Sequence, residues 1–201
     1  MRYCGIAAAV TLAALAACTG EAPISPQTQT MPDTAQSTAV PATADGENKA
    51  EDSPALAVEA EGLRLFNKQS GSARAIAFGT SREDVLAILA FRGKPETGAN
   101  GECGAGTLDY ANWPDGLGLF FEHGKLAGWN LNERSKGAIT TASGIGPGSS
   151  RADLESSYAA DISETTLGTE FAAGELYGLL EGKGEAAKIT YMWGGISCNF
   201  R

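Results

Sequence analysis

The stretch Gly144 to Leu154 reads GIGPGSSRADL. Three alternating glycines lead into two serines and an amphipathic run. A glycine-rich loop of this kind can cradle a phosphate, because bare backbone N–H groups and a helix N-terminus meet there. The residue types argue against it. The dinucleotide fingerprint G-x-G-x-x-G requires glycine where this chain has Ser149, and the Walker loop requires G-K-[ST], yet no lysine follows Gly148. No alternation of parallel strands and helices surrounds the loop. GIGPGSS therefore reads as a tight lead into a capped helix.

Thiol chemistry is the second candidate. The cysteines are Cys4, Cys18, Cys103 and Cys198, and His123 is the sole histidine. A nucleophilic Cys103 would need a base. His123 lies in FFEHGKL, which reads as a hairpin with His123-Gly124 at its tip, where a histidine is solvated. No H-E-x-x-H, nucleophile elbow or metal-ligand cluster is present. The carboxylates Asp109, Asp115, Glu122, Asp153 and Glu170 are scattered along the chain. No metal and no cofactor is expected. A thiol-dependent enzyme of oxidoreductase or acyl-transfer type using Cys103 is the alternative reading, disfavoured because it lacks a base and a cofactor domain.

The N-terminus decides the compartment. Arg2 precedes an apolar run from Gly5 to Leu15, the length of a secretory signal and too short to span a bilayer. The run ends in Leu15-Ala16-Ala17-Cys18, which resembles the bacterial lipobox. That resemblance implies a signal peptide over 1–17 and an acylated Cys18, whose two or more acyl chains anchor stably where one does not. Thr19, rather than an aspartate, follows the cysteine, which favours the outer over the inner membrane. The expected location is the cell envelope, lipid-anchored and periplasm-facing. In such an oxidising compartment Cys103 and Cys198 are expected to form a disulfide.

Composition divides the remainder. Residues 18–61 are rich in Pro, Thr, Ala, Gln and acids, with no aromatic residue, and carry eight acids against Lys49. Such a segment buries too little apolar surface to offset its ordering entropy and reads as a tether. Most of the chain's net charge of -9 sits there. Residues 62–201 are nearly balanced, with no basic patch, so nucleic acid is not an expected partner. About 140 residues suffice for one domain with a real core.

Within that domain the chain aligns with itself. FGTSREDVL (Phe78 to Leu86) matches PGSSRADLE (Pro147 to Glu155), placing Ser81, Arg82 and Asp84 on Ser150, Arg151 and Asp153. Thr80 with Glu83 fits a capping box, and Ser150 with Asp153 is a weaker one, so helices are expected to begin near Ser81 and Ser150. After each come three strand patterns: TLDYA, GLGLFFE and KLAGWNL, then TEFAA, ELYGLLE and KITYMWGG. The expected fold is α+β: two tandem repeats, about 78–131 and 147–198, each a helix then three antiparallel strands, forming an open antiparallel sheet with helices on one face. GLRLFNKQSGSARAIAFG before them reads as an extra hairpin turning at Ser70-Gly71-Ser72.

The order of these parts, with Asp115-Gly116-Leu117, Gly124-Lys125-Leu126 and TASGIGPGSSRADL, resembles exported bacterial lipoproteins of unassigned activity. More distantly it is similar to the tandem repeats of beta-lactamase-inhibitor proteins and to small helix-plus-three-strand lipoproteins of outer-membrane assembly. The resemblance covers residues 62–201. An open sheet with helices on one face leaves the other free to bind, and no catalytic constellation is present, so the expected function is a protein- or ligand-binding module, with an envelope protein or small ligand as partner, in a narrower form an inhibitor of or accessory to an envelope enzyme. None of the inhibitor family's contact residues can be aligned. Strand periodicity groups Lys125, Ala127 and Trp129, and groups Ile189, Tyr191 and Trp193. The expected binding residues on the open face are Tyr110, Trp129, Tyr191 and Trp193.

Overall fold

Serine hydroxyls set both helix starts. In the computed structural model, which describes residues 53–198, Ser81 and Ser150 each take an extended backbone, and each side chain accepts the N–H three residues on. The helices α1 (Arg82–Ile88) and α2 (Arg151–Ser157) follow. Two turns are too short to stand alone, so packing must hold them. Val85, Leu89 and Leu154 bury completely or nearly so in the main core. The capping expectation is inverted in detail. Thr80 does not cap; its hydroxyl donates to the Ala77 carbonyl at 2.7 Å. The complete capping box belongs to Ser150 and Asp153, whose carboxylate also accepts the Ser150 N–H at 2.9 Å.

Strands dominate the rest. A four-stranded sheet contains β1 (Ala55–Glu59), β2 (Gly62–Phe66), β3 (Ala73–Ala77) and β8 (Thr140–Thr141), in the order β3-β2-β1-β8. An eight-stranded sheet contains β4 (Glu96–Asn100), β5 (Leu108–Asn112), β6 (Leu117–Glu122), β7 (Lys125–Leu131), β9 (Asp161–Thr165), β10 (Gly168–Ala173), β11 (Leu176–Glu181) and β12 (Lys188–Gly195). Its order is β4-β5-β6-β7-β12-β11-β10-β9, with every neighbour antiparallel. The fold is α+β with open sheets, as composition and pattern indicate.

Three features differ from the sequence reading. Four strands, not three, follow each helix in the eight-stranded sheet. The additional ones, β4 and β9, form its two edges and are mostly exposed. Their sequences, ETGAN and DISET, carry little strand signal because an edge strand covered only in part, as at Ile162, needs no strict apolar alternation. Second, β1 lies inside the stretch assigned to the tether and buries Leu56, Ala57 and Val58. Third, β1 and β8 pair in parallel, Ala57 with Thr140 and Val58 with Thr141, where only antiparallel pairing was expected. The hairpin of β2 and β3 turns where expected; the Asn67 side chain accepts the N–H groups of Gln69 and Ser70. The signal region, Cys18 and the tether up to residue 52 lie outside the described residues.

One core joins the layers. Leu56, Val58, Leu63, Leu65 and Ile76 of the small sheet meet Leu119, Phe121, Trp129, Leu131, Phe171, Ile189 and Met192 of the large one, together with the helix residues. The large sheet thus buries one face. Two bulges decide which residues lie on it. Phe121 pairs with Leu126 but Phe120 pairs with Gly128, leaving Ala127 as an extra residue. Leu180 pairs with Ile189 but Leu179 pairs with Tyr191, leaving Thr190 extra. An extra residue inverts the alternation beyond it. Trp129 therefore points to the core with Leu126, and Tyr191 and Trp193 part company with Ile189.

Candidate functional site

The glycine-rich loop binds itself. Gly144 N–H donates to the Thr141 carbonyl, Ile145 N–H to Thr141 Oγ1 and Gly146 N–H to Ser149 Oγ. Gly148 N–H donates to the Ile189 carbonyl at 2.7 Å, and Ser149 N–H to the Gly146 carbonyl. Pro147 has no donor. Each amide that could face a phosphate is engaged within the fold. At the helix start, hydrogen bonds from the Ser150 hydroxyl, and next from its backbone N–H, hold the Asp153 carboxyl below the usual aspartate range.

Cys103 and Cys198 form a disulfide, with Cα atoms 5.0 Å apart and a sequence separation of 95. Cys103 therefore carries its sulfur in a bond rather than as a free thiol. His123 stands exposed at the β6–β7 tip, with φ 50° followed by Gly124 at 74°, the two positive values of a tight hairpin turn. The disulfide sits on the sheet face opposite the main core. There Cys103, Leu108 and Phe120 bury together, with Tyr110, Ile196 and Cys198 packed on them. The chain leaving β12 runs close over β7: a Cβ on Gly128 would lie 1.8 Å from the Ile196 carbonyl oxygen.

The four expected binding residues separate. Trp129 is fully buried in the core, and its indole N–H donates to the Glu59 carbonyl at 2.8 Å. It is a core residue and not a face anchor; the Ala127 bulge turned it inward. Tyr110 lies on the outer face but belongs to the disulfide cluster, half-buried across the bare Gly98. Tyr191 and Trp193 also lie on the outer face, joined by Tyr177. The ring centroids of Tyr177 and Trp193 are 5.9 Å apart and stacked, and those of Tyr191 and Trp193 are 5.7 Å apart. Trp193 is only 5% exposed between its neighbours. Tyr177 and Tyr191 are half-buried.

The aromatic group borders a polar groove that the sequence reading missed. The Asn130 amide donates to the Tyr191 hydroxyl. Burial pushes the Tyr191 phenol above its ordinary value, and that hydrogen bond partly opposes the shift. Beside it opens a pocket of about 600 Å³, lined by the asparagines 112, 130 and 132 with Lys94, Glu96 and Arg134 around them. Asn112, Gly118 and Asn130 stand in one row across β5, β6 and β7. A signal was available: asparagine is disfavoured inside strands, and here it occurs on the two strands that flank β6. Among the described residues no group of three or more His, Cys, Asp or Glu could hold a metal ion, and no helix is long and apolar enough to cross a membrane.

No protein-family model matches the chain, and no curated protein or solved structure is significantly similar to it.

Proposed function

We propose that this is an envelope lipoprotein whose eight-stranded sheet binds a partner protein or ligand on the face turned away from the main core. One observation carries the reading: the two helices and the small sheet contribute to a core on one face only, and the other face bears Tyr177, Tyr191 and Trp193 beside a polar groove. Half-buried aromatics next to polar groups suit a contact surface, because such rings supply large area at low entropic cost. The Leu15-Ala16-Ala17-Cys18 junction supports lipid attachment, and an acidic tether would raise the effective concentration of the domain near envelope partners.

Tandem duplication is part of the same reading. Gly79 N–H donates to Leu126, Leu126 to Thr80 and Arg82 to Gly124. Gly148 N–H donates to Ile189, Ile189 to Ser149 and Arg151 to Ala187, the same pattern a second time. The bulges at Ala127 and Thr190 fall just beyond these contacts. The duplication supports a likeness in architecture to the inhibitor-type repeats, whose sheets bind enzymes. The rival thiol-enzyme reading has the Cys103–Cys198 bond against it.

The test uses the full chain to capture partners from envelope extract, with Tyr177→Ala and Tyr191→Ala as variants. Capture should weaken by about 2 kcal/mol, while the unfolding midpoint moves little. Undiminished capture by both variants, or losses that follow unfolding, would refute the binding face. Cys18→Ser should abolish processing and release the protein from the membrane pellet. If that variant stays processed and pelleted, the anchor is wrong.

A further inference from the structure

We propose that the groove over Gly118 takes a saccharide bearing a carboxylate, an inference that rests on the binding-face reading and names its ligand class. Residue 118 has no side chain, and the space over its backbone is taken by the amide heads that line the groove. A Cβ there would lie 2.0 Å from Asn130 Oδ1 and 2.8 Å from Asn112 Oδ1. Two amide heads thus lean over one bare backbone position from the strands on either side. Asn130 is not free to turn away, because its amide N–H donates to the Tyr191 hydroxyl. Its Oδ1 is shielded from solvent and has no hydrogen-bond partner. A buried acceptor left so is costly, so the amide is held in place by its Tyr191 contact and by packing over Gly118.

The rim is fixed as well. Asn132 Oδ1 accepts the Arg134 N–H at 3.0 Å and so holds the short 3-10 turn (Glu133–Ser135) that carries Arg134. Trp113 Nε1 donates to the Gly93 carbonyl at 3.2 Å, which ties down the chain just before Lys94. Lys94 and Arg134 are exposed, and among the described residues neither is in an ion pair. With Glu96 between them, the rim keeps one surplus positive charge.

The chemistry selects the ligand class. An amide both donates and accepts, and so does a hydroxyl; paired asparagines suit neighbouring hydroxyls of a sugar ring. Glu96 supplies a further acceptor for a hydroxyl. The two free cations suit a carboxylate. A peptide fits less well. The groove lies on the face of the sheet and not along an open edge, so no strand can be added there. Its apolar members Trp113 and Leu117 are themselves buried and only Pro114 is exposed, leaving no deep socket for an apolar side chain.

Titration of the ¹⁵N-labelled full chain with trigalacturonate, chitotriose and a triaspartate peptide tests this, by calorimetry and by the side-chain amide resonances of Asn112 and Asn130. Trigalacturonate should shift both amides and bind about tenfold tighter than neutral chitotriose, the size expected when charge-assisted hydrogen bonds are added. The double change Lys94→Gln with Arg134→Gln touches only exposed side chains and should erase that preference. Gly118→Ala, whose Cβ would displace the Asn130 and Asn112 amide heads, should abolish binding of both sugars. Equal affinity for the two sugars, a preference that survives the double change, or tighter binding of the peptide would overturn the assignment. If no sugar moves the amides while Tyr177→Ala still weakens partner capture, the saccharide inference fails and the binding face stands.

Discussion

Trp129 shows how one side chain can join two layers. Its ring lies in the core under the large sheet, and its indole N–H reaches the last residue of β1 in the small one. Trp129→Ala should cost about 3–5 kcal/mol, the range for emptying a buried aromatic site. Trp129→Phe keeps most of the volume but leaves the Glu59 carbonyl without its donor, and should cost about 1–3 kcal/mol. Denaturant titration checks both, and neither change should selectively weaken partner capture at matched folded fraction. Stability near wild type for the alanine variant would contradict the inward placement. The neighbouring backbone makes the same point: a Cβ on Gly194 would come within 2.9 Å of the indole.

At the scale of elements, short helices depend on their caps. Ser150→Ala should lower stability by about 1 kcal/mol. The cap also makes stability depend on pH. Asp153 has its carboxyl held below the ordinary aspartate value in the folded state, by hydrogen bonds from Ser150. Its contribution is therefore present above the unfolded value and is lost as pH falls through the folded one. The stability gap between wild type and Asp153→Ala should be open at neutral pH and close on acidification. A gap that stays constant would show that the carboxylate does not act through its charge. Bulges act at this scale too. By adding one residue to a strand each, Ala127 and Thr190 choose which aromatics face the core.

For the whole molecule, the disulfide is the longest covalent link among the described residues. It ties the loop between β4 and β5 to the segment after β12, over Leu108 and Phe120. With the cysteines 95 positions apart in sequence, closing the loop should contribute on the order of 4–5 kcal/mol, in the chain-entropy account. Reduction, or the double change Cys103→Ser with Cys198→Ser, should lower the unfolding free energy by about that amount. Amide exchange should rise first in residues 101–108 and 196–198, since the main core on the other face does not depend on the bond. An unchanged denaturation curve under reducing conditions would refute this role.

The sequence by itself determined the local elements. Hydroxyl residues followed by acids marked both helix starts, though the first cap was placed on Thr80 instead of Ser81; His123-Gly124 marked a hairpin tip, and the apolar runs marked β5–β7 and β10–β12. These are legible because caps, turns and covered strands are specified by neighbours within a few residues. The same reading paired the two domain cysteines from compartment chemistry. The edge strands β4 and β9 left no such pattern, because little beyond Ile162 packs against the core there. Strand β1 was concealed by its five-residue length within an acidic stretch. The open face was decided only by tertiary structure. Period-2 grouping placed Trp129 among the binding residues, and a single extra residue, visible only once partner strands were in register, turned it inward. The groove likewise needed three strands side by side before Asn112, Gly118 and Asn130 met. Alternation along a strand is a local property; which face is covered, and what stands opposite a missing Cβ, depends on the strands next to it.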